Sequence, residues 1–106
     1  MLFNGLKEII IKNNLIEKSK ENFWNAFDNY CSEDPDEAGE IFNSCDMERI
    51  NIFVNNVSFQ AHNWPDDDRC FIVIDIAIEY NDKAVGYYDV LYTLDGHVDD
   101  DFFVIY

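Results

Sequence analysis

The sequence predicts an α+β fold in which N-terminal helices pack on a four-stranded antiparallel β-meander. Residues 70–106 contain three β-type runs, which are separated by the turn signals Asn-Asp-Lys (81–83) and Asp-Gly (95–96). Residues 2–47 instead place apolar side chains at helical spacing. We therefore expect the helices to cover one side of a sheet formed by residues 50–106.

The length and composition fit one domain. The chain has 106 residues, of which 48% are hydrophobic and 16% aromatic, and this is enough for one hydrophobic core. No repeat, linker or low-complexity stretch divides the sequence. We expect a single domain over 1–106, with a helical layer over 1–47 and the antiparallel sheet over 50–106.

Three helices are predicted. The first spans residues 2–16, and the second runs from an N-cap at Ser19 to Tyr30. The third follows Asp34-Pro35, because Asp caps helices and Pro fits the first helical position. The apolar residues that we expect these last two helices to turn inward are Phe23, Phe27, Tyr30, Cys31, Ala38, Ile41, Phe42 and Cys45.

The alternation of apolar residues in the first strand, residues 50–60, shifts by one position partway along the strand. Its apolar residues occupy even positions up to Val54 and odd positions from Val57 onward. A β-bulge near Asn55-Asn56 would keep both sets on one side of the sheet.

A carboxylate pair is predicted between the second and third strands. The even positions of the second strand are apolar, so that side must face the core. A three-residue loop over 81–83 keeps this parity by setting Ile76 opposite Tyr88. The same register sets Asp75 opposite Asp89. A two-residue loop would instead turn Asp89 towards the core, which is costly for an unpaired carboxylate.

The turn at Asp95-Gly96 is predicted to extend this carboxylate pair into an acidic row across three strands. Gly96 can take the left-handed position of a three-residue loop with a bulge, which sets Tyr88 opposite Phe102 and Asp89 opposite Asp101. Directly opposed like charges destabilise a sheet by up to ~1 kcal/mol per pair, so a sequence selected for stability alone would avoid this row. Our hypothesis is a docking surface that offers carboxylates and aromatic anchors to a basic partner. Its predicted residues are Asp75, Glu79, Tyr87, Asp89, Asp99, Asp101 and Phe103.

A second acidic cluster lies on the polar loop before the second strand. Asp66, Asp67 and Asp68 follow Trp64, which can serve either as an anchor for a partner or as part of the core. Because loops often carry recognition, these four residues join the predicted docking residues. For both clusters the alternative is that the charges simply face solvent.

The net charge narrows the class of partner. Seven basic and twenty-two acidic residues give a formal charge of −15. Such a field accelerates the approach of a basic protein and repels nucleic acid and anionic membranes, although plain solubility is an alternative reason for it. No apolar run approaches the ~20 residues of a membrane helix, and no signal peptide is expected. The three cysteines lack CxxC spacing, so we expect free thiols in a reducing cytoplasm.

The sequence offers little for catalysis. It contains no GxSxG, P-loop or GxGxxG motif, and the residues before Gly96 lack the spacing of a calcium loop. We therefore expect no enzyme activity, no cofactor and no metal. Two minor alternatives are an Mg²⁺ or Ca²⁺ site, if the carboxylates of the row converge, and acid–base chemistry at His62 or His97.

Two C-terminal segments, Gly86-Tyr87-Tyr88-Asp89 and residues 95–103 (DGHVDDDFF), suggest a family. They and the helices-then-meander order resemble the small acidic immunity proteins of bacterial polymorphic-toxin systems, including contact-dependent growth inhibition. The resemblance implies a cytoplasmic, non-catalytic inhibitor of one cognate toxin domain, often a nuclease. A nuclease holds phosphate with basic residues, and a carboxylate-rich inhibitor can occupy that site.

Three alternatives stay open at this point. The protein could be a nucleic-acid mimic that blocks DNA-binding proteins broadly, or a small cone-shaped α+β domain that binds or converts a ligand. It could also be a homodimer, rather than a monomer, that pairs through the apolar residues 102–106.

Overall fold

The computed structural model describes residues 2–42, 47–61 and 69–106. Three α-helices and a short 3₁₀ turn precede a four-stranded antiparallel sheet whose strands neighbour one another in chain order. The predicted α+β fold with a β-meander is therefore confirmed. The elements are α1 (Leu2–Lys12), α2 (Leu15–Glu33), α3 (Pro35–Phe42), the 3₁₀ turn (Met47–Arg49), β1 (Ile50–Ala61), β2 (Cys70–Tyr80), β3 (Lys83–Tyr92) and β4 (Val98–Ile105).

The first two helices are separated at Asn13-Asn14. Asn14 has φ 55°, a left-handed conformation that Asn tolerates better than most residues. The Asn13 side-chain amide donates a hydrogen bond to the carbonyl of Ile9 at 3.0 Å and so satisfies the end of α1. The predicted first helix is thus too long, and the predicted cap at Ser19 is wrong because α2 already begins at Leu15.

Ser19 instead joins α2 to the sheet from inside the core. It is 0% exposed, and its hydroxyl donates to the carbonyl of Leu15 at 2.7 Å. The same oxygen lies 2.8 Å from the hydroxyl of Tyr92, a buried residue of β3. Each hydroxyl therefore has a partner, as buried polar groups require.

The core lies between the helices and one side of the sheet. The even positions of β2 face it as predicted, and Ile72, Ile74, Ile76 and Ile78 are all 0% exposed. The predicted aromatic stripe of α2 is confirmed, since Phe23 and Phe27 are buried and Tyr30 is half-buried. Aromatic rings continue from helix to sheet through the pairs Phe27–Phe42 (5.1 Å between centroids), Phe42–Tyr80 (5.5 Å) and Tyr30–Phe103 (5.3 Å).

α3 begins at Pro35, as predicted, and the Ala38 amide donates to the carbonyl of Asp34 at 2.9 Å. Of the predicted inward residues, Ala38 and Phe42 are buried and Ile41 is half-buried, whereas Cys45 lies outside the described residues.

One prediction about the cysteines is wrong. Cys31 is disulfide-bonded, whereas Cys70 carries a thiol. The spacing of the cysteines excludes a CxxC motif, but it does not exclude a single bond between cysteines far apart in sequence.

The predicted bulge in β1 is confirmed. Val54 pairs with Ile76 and Asn56 pairs with Asp75, so Asn55 is the extra residue. The bulge brings Val57 to the same side of the sheet as Val54, where both pack against the core.

The β2–β3 register is as predicted, but the turn that produces it is different. Tyr80 pairs with Lys83, so the turn has two residues, Asn81 and Asp82, and both have positive φ as a type I′ turn requires. A bulge at Val85 then restores the parity that a two-residue turn would otherwise reverse. The prediction of a three-residue loop is wrong because it did not consider a turn and a bulge together.

The β3–β4 connection contains the predicted loop and one further residue. Gly96 has φ 87°, and the Thr93 amide donates to the carbonyl of His97 at 2.8 Å, which closes a three-residue loop. Tyr92 then pairs with Val98 but Leu91 pairs with Asp100, so Asp99 is a bulge. This one-residue shift turns every later side chain of β4 to the other side of the sheet. The predicted pairs Tyr88–Phe102 and Asp89–Asp101 are therefore wrong, and the observed pairs are Tyr88–Phe103 and Asp89–Phe102. Gly86 pairs with Ile105.

The close approach of β3 and β4 at Gly86 gives a testable prediction. A Cβ at this position would overlap the carbonyl oxygen of Val104, so one strand must move. We expect Gly86→Ala to lower the free energy of unfolding by roughly 2 kcal/mol. The matched control is Gly39→Ala in α3, where a Cβ meets nothing within 4 Å, and it should raise stability by up to ~1 kcal/mol. Urea unfolding followed by circular dichroism measures both variants, and equal effects would contradict the close approach.

Candidate docking surface on the outer face of the sheet

The outer face is the side of the sheet turned away from the helices. Strand side chains alternate between the two sides, so each strand contributes a second set of residues besides those of the core. The members of the outer face are Asn51, Phe53, Asn56, Ser58 and Gln60 of β1; Phe71, Val73, Asp75, Ala77 and Glu79 of β2; Ala84, Tyr87, Asp89 and Leu91 of β3; and Asp100, Phe102 and Val104 of β4.

Asp75 and Asp89 form a directly opposed pair in the middle of this face, as predicted. Both side chains are half-buried, and one oxygen of each, Oδ1, is buried and has no hydrogen-bond partner in the described part of the chain. Burial, and then the interaction with the Asp75 carboxyl group, raises the pKa of Asp89 to about 6. The pair thus concentrates negative charge where solvent only partly screens it.

Aromatic and apolar side chains surround the pair. Towards one end of the sheet, Phe71, Val73 and Leu91 are 5%, 6% and 8% exposed. On the two outer strands, Phe53 and Phe102 are 42% and 48% exposed, and Phe102 stands directly opposite Asp89. The carboxyl pair is therefore flanked by rings that a partner can contact.

Tyr87 extends the aromatic surface towards the end of the chain. Its ring centroid lies 6.2 Å from that of Tyr106, which is 77% exposed. Tyr87 was among the predicted docking residues, and it lies two residues before Asp89 on the same side of β3.

The predicted third carboxylate, Asp101, lies on the opposite side of the sheet. The bulge at Asp99 removes it from Asp89, and its Oδ2 accepts a hydrogen bond from the Tyr88 hydroxyl at 2.6 Å. Phe103, also predicted for docking, points to the helices, where its ring lies 6.1 Å from that of Phe23. Of the three carboxylates predicted to form one row, only Asp75 and Asp89 lie together. The shift replaces an opposed Asp89–Asp101 pair by a hydrogen-bonded Asp101 and gives Phe103 an aromatic environment.

The remaining predicted docking residues have different outcomes. Glu79 shares the outer face with the carboxyl pair, whereas Asp99 is exposed at the bulge. The predicted loop cluster, Trp64, Asp66, Asp67 and Asp68, lies outside the described residues.

Sequence reasoning missed two exposed rings of the outer face, Phe53 and Phe102. The apolar even positions of β1 face the core, so Phe53, at an odd position, could have been assigned to the outer face from the sequence. Phe102 and Phe103 are adjacent and identical, so the sequence pattern does not show which of them faces outward. The bulge at Asp99 determines that it is Phe102.

The described residues do not form the metal site that was the first of the two minor alternatives. Within residues 2–42, 47–61 and 69–106, no three His, Cys, Asp or Glu side chains are close enough to hold a metal ion. The hypothetical Mg²⁺ or Ca²⁺ row is wrong because Asp101 is on the other side from Asp75 and Asp89. His97 is exposed in the β3–β4 turn, and His62 is outside the described residues.

More than half of the basic residues lie near the start of the chain. Four of the seven, Lys7, Lys12, Lys18 and Lys20, occur within the first twenty positions, in α1 and the start of α2. The rest of the chain carries the large acidic excess, so the electrostatic field is uneven along the molecule.

Comparisons with protein-family models, with curated proteins and with solved structures find no match. In the described part of the chain, no helix combines the length and the apolar character needed to cross a membrane. We therefore argue the function from the outer face.

The carboxyl pair gives a prediction about stability and pH. The pKa of Asp89 in the folded protein, about 6, lies above the ordinary value of 3.8, so the folded protein binds this proton more tightly than the unfolded chain does. Protonation of Asp89 therefore stabilises the folded state. This contribution to the free energy of unfolding is fully present below about pH 4 and is lost as the pH rises through about 6. We expect Asp89→Asn to raise the free energy of unfolding by about 1 kcal/mol at pH 8, because it removes one of two opposed charges, and to have a smaller effect at pH 4.

The control for this prediction is Asp28→Asn, which removes the same charge from an exposed position of α2. Urea unfolding of both variants across pH 4–8 measures the difference. A loss of stability in Asp89→Asn at pH 8 would mean that the carboxylate holds the sheet together.

Proposed function

We propose that this protein is an immunity protein, an antitoxin-like inhibitor that binds one basic toxin domain of nuclease type through the outer face of its sheet. The observation that carries the proposal is the directly opposed Asp75–Asp89 pair, whose buried oxygens lack partners within the described residues and whose surroundings are exposed aromatic rings. The proposal includes no catalytic role and no cofactor.

The carboxyl pair is suited to receive a cationic side chain. A Lys or Arg placed against Asp75 and Asp89 would offset their repulsion and donate to the parts of these half-buried carboxylates that solvent still reaches. The cation would itself be largely desolvated there, and charged contacts of this kind discriminate strongly between partners.

The rings around the pair supply the apolar part of such an interface. Interface energy concentrates in a few central residues, and aromatic side chains are frequent among them. Phe53, Tyr87 and Phe102 lie on the three strands that flank or contain the pair, so a partner that inserts a cation also contacts at least one ring. The combination favours a protein partner with an exposed basic and apolar patch.

The charge of −15 supports the same kind of partner. A nuclease binds phosphate with basic residues, and an acidic inhibitor gains in association rate from the opposite fields. A nucleic-acid mimic shares this charge, but it depends on charge alone and would bind unrelated basic proteins. Specificity for one partner requires the local pattern of carboxylates and rings.

The Cys31 disulfide bears on the compartment in which the inhibitor acts. We propose the cytoplasm, because a nuclease toxin finds its substrate there, but a disulfide is rare in a reducing compartment. Titration of free thiols in the protein from whole cells, with thiols trapped at lysis, tests this point. Three free thiols would place the folded protein in a reducing environment, and one would argue against the cytoplasm.

We expect the neighbouring gene to encode the cognate toxin domain, and the central experiment measures binding to that domain. We expect co-expression to rescue cells from that toxin and the association rate constant to fall steeply with added salt. Asp89→Asn should weaken the complex roughly tenfold or more through faster dissociation, because it removes a buried contact to a cation. Glu40→Gln, which neutralises an exposed residue of α3, is the matched control and should change the affinity little.

Three results would contradict the proposal. One is the absence of rescue and binding with the adjacent toxin. A second is an equal loss of affinity in Asp89→Asn and Glu40→Gln, which would mean that only total charge matters. The third is comparable binding to unrelated basic proteins, which would support the nucleic-acid mimic.

Binding should also depend on pH. A cation against the pair favours the ionised form of Asp89, so its pKa of about 6 in the free protein should fall in the complex. Affinity should therefore rise from pH 5 to pH 7, with proton release on binding. Calorimetry in two buffers of different ionisation enthalpy measures that proton, and Asp89→Asn should abolish the release. An unchanged proton count in this variant would place the cation elsewhere.

A further inference from the structure

A polar cleft lies on the helix side of the sheet, between α2 and β4. Its volume is about 310 Å³, and it is separate from the outer face. Its lining combines three amide side chains of α2 with Tyr88, Asp101 and two small apolar residues. The lining residues of α2 are Asn22, Asn25, Ala26 and Asn29, and those of the sheet are Tyr88, Val98 and Asp101.

The amides stand in a line along the cleft. Asn22, Asn25 and Asn29 follow one another at spacings of three and four residues, which places them on one face of the helix. None of the three side chains makes a hydrogen bond to another described residue, so their carbonyl oxygens are available to a ligand.

Asp101 supplies the charge of the cleft. Its Oδ2 accepts the Tyr88 hydroxyl at 2.6 Å, which fixes the orientation of the carboxylate and leaves Oδ1 without a donor in the described part of the chain. Burial and this bond raise the pKa of Tyr88, so its hydroxyl keeps its proton and continues to donate. The cleft therefore offers acceptors around one fixed negative charge.

These features favour an organic cation. The field of the whole molecule repels anions, and a single carboxylate is too few ligands for a metal ion. An ammonium ion is a compact point charge, whereas a guanidinium group is a planar fork with five donors. The planar fork can bond to the Asp101 carboxylate through two donors and still offer its remaining donors to amide oxygens of α2. Ala26 and Val98 provide contacts for an attached methylene chain.

We infer that the cleft between α2 and β4 binds the guanidinium group of an arginine side chain that the protein partner presents. The inference depends on the proposed function only for the partner being a protein. It adds a second contact on the opposite side of the sheet from the Asp75–Asp89 pair. A partner that makes both contacts must reach around the free edge of β4, which borders both sites.

The first test needs no partner. Ethylguanidinium and ethylammonium are titrated separately into the full chain, and the side-chain amide resonances of Asn22, Asn25 and Asn29 are followed by NMR. We expect saturable shifts with ethylguanidinium and roughly tenfold weaker binding of ethylammonium. Equal binding of the two cations would overturn the inference, because it would show that the acidic field merely concentrates positive ions.

Matched variants test the role of Asp101. Asp101→Asn keeps an acceptor for Tyr88 but removes the charge, and it should weaken ethylguanidinium binding roughly tenfold. Asp99→Asn removes the same charge from the exposed bulge two residues earlier and should leave binding unchanged. Asn25→Asp, at an exposed helix position, should tighten binding. Equal losses in the Asp99 and Asp101 variants would overturn the assignment.

A last measurement establishes whether a partner arginine is the ligand. In the complex with the toxin domain, Asp101→Asn should weaken binding by a factor similar to that seen with ethylguanidinium. If the small cation binds but the complex is insensitive to Asp101→Asn, the partner arginine is excluded. This result would not contradict the proposed function, because the test of that function is the effect of Asp89→Asn. Conversely, failure of the protein to bind the toxin domain at all would contradict the proposed function but not the binding of ethylguanidinium in the cleft.

Discussion

The parity of the strands is the constraint on which the rest of this structure depends. A strand shows alternate side chains to its two sides, and each one-residue bulge exchanges the sides for everything that follows. Bulges at Asn55, Val85 and Asp99 set this parity in β1, β3 and β4. With these three in place, the isoleucines of β2 and the aromatic residues of α2 share one core. The same bulges leave a carboxyl pair on one side of the sheet and a carboxylate bonded to tyrosine on the other.

The two carboxylate sites differ in how their charge is accommodated. Asp101 receives a hydroxyl donor from Tyr88 and is exposed to water, so its charge is solvated and hydrogen-bonded. Asp75 and Asp89 face each other and are half-buried, so their charges are not compensated by the described residues. Strained or repulsive arrangements persist in proteins mainly where another part of the structure over-determines them. Here the apolar even positions of β2 and β3 determine the register and force the two carboxylates together.

The orientation and pairing of a strand could be predicted from the sequence where the two sides of that strand differ in polarity. The even positions of β2 are uniformly apolar, so its orientation and its pairing with β3 could be predicted, including the Asp75–Asp89 pair. In β4, residues 102–106 are apolar on both sides, and no pattern distinguishes the two parities. Asp101 and Phe103 were consequently assigned to the wrong side. The α2 boundary was missed for a different reason: Ser19 was treated as a cap, although its hydroxyl serves a tertiary contact with Tyr92 that lies 73 residues away.

The positions of the bulges also affect how copies of this molecule behave towards one another. β1 and β4 are the first and last strands of the sheet, and each carries a bulge, at Asn55 and Asp99. A long regular border strand is a template on which another chain can extend the sheet, and repeated extension leads to fibrils. A bulge twists such a border and interrupts its row of free amides, and a carboxylate at the interruption repels an identical neighbour. The aromatic residues beside these borders can thus remain accessible without promoting polymerisation.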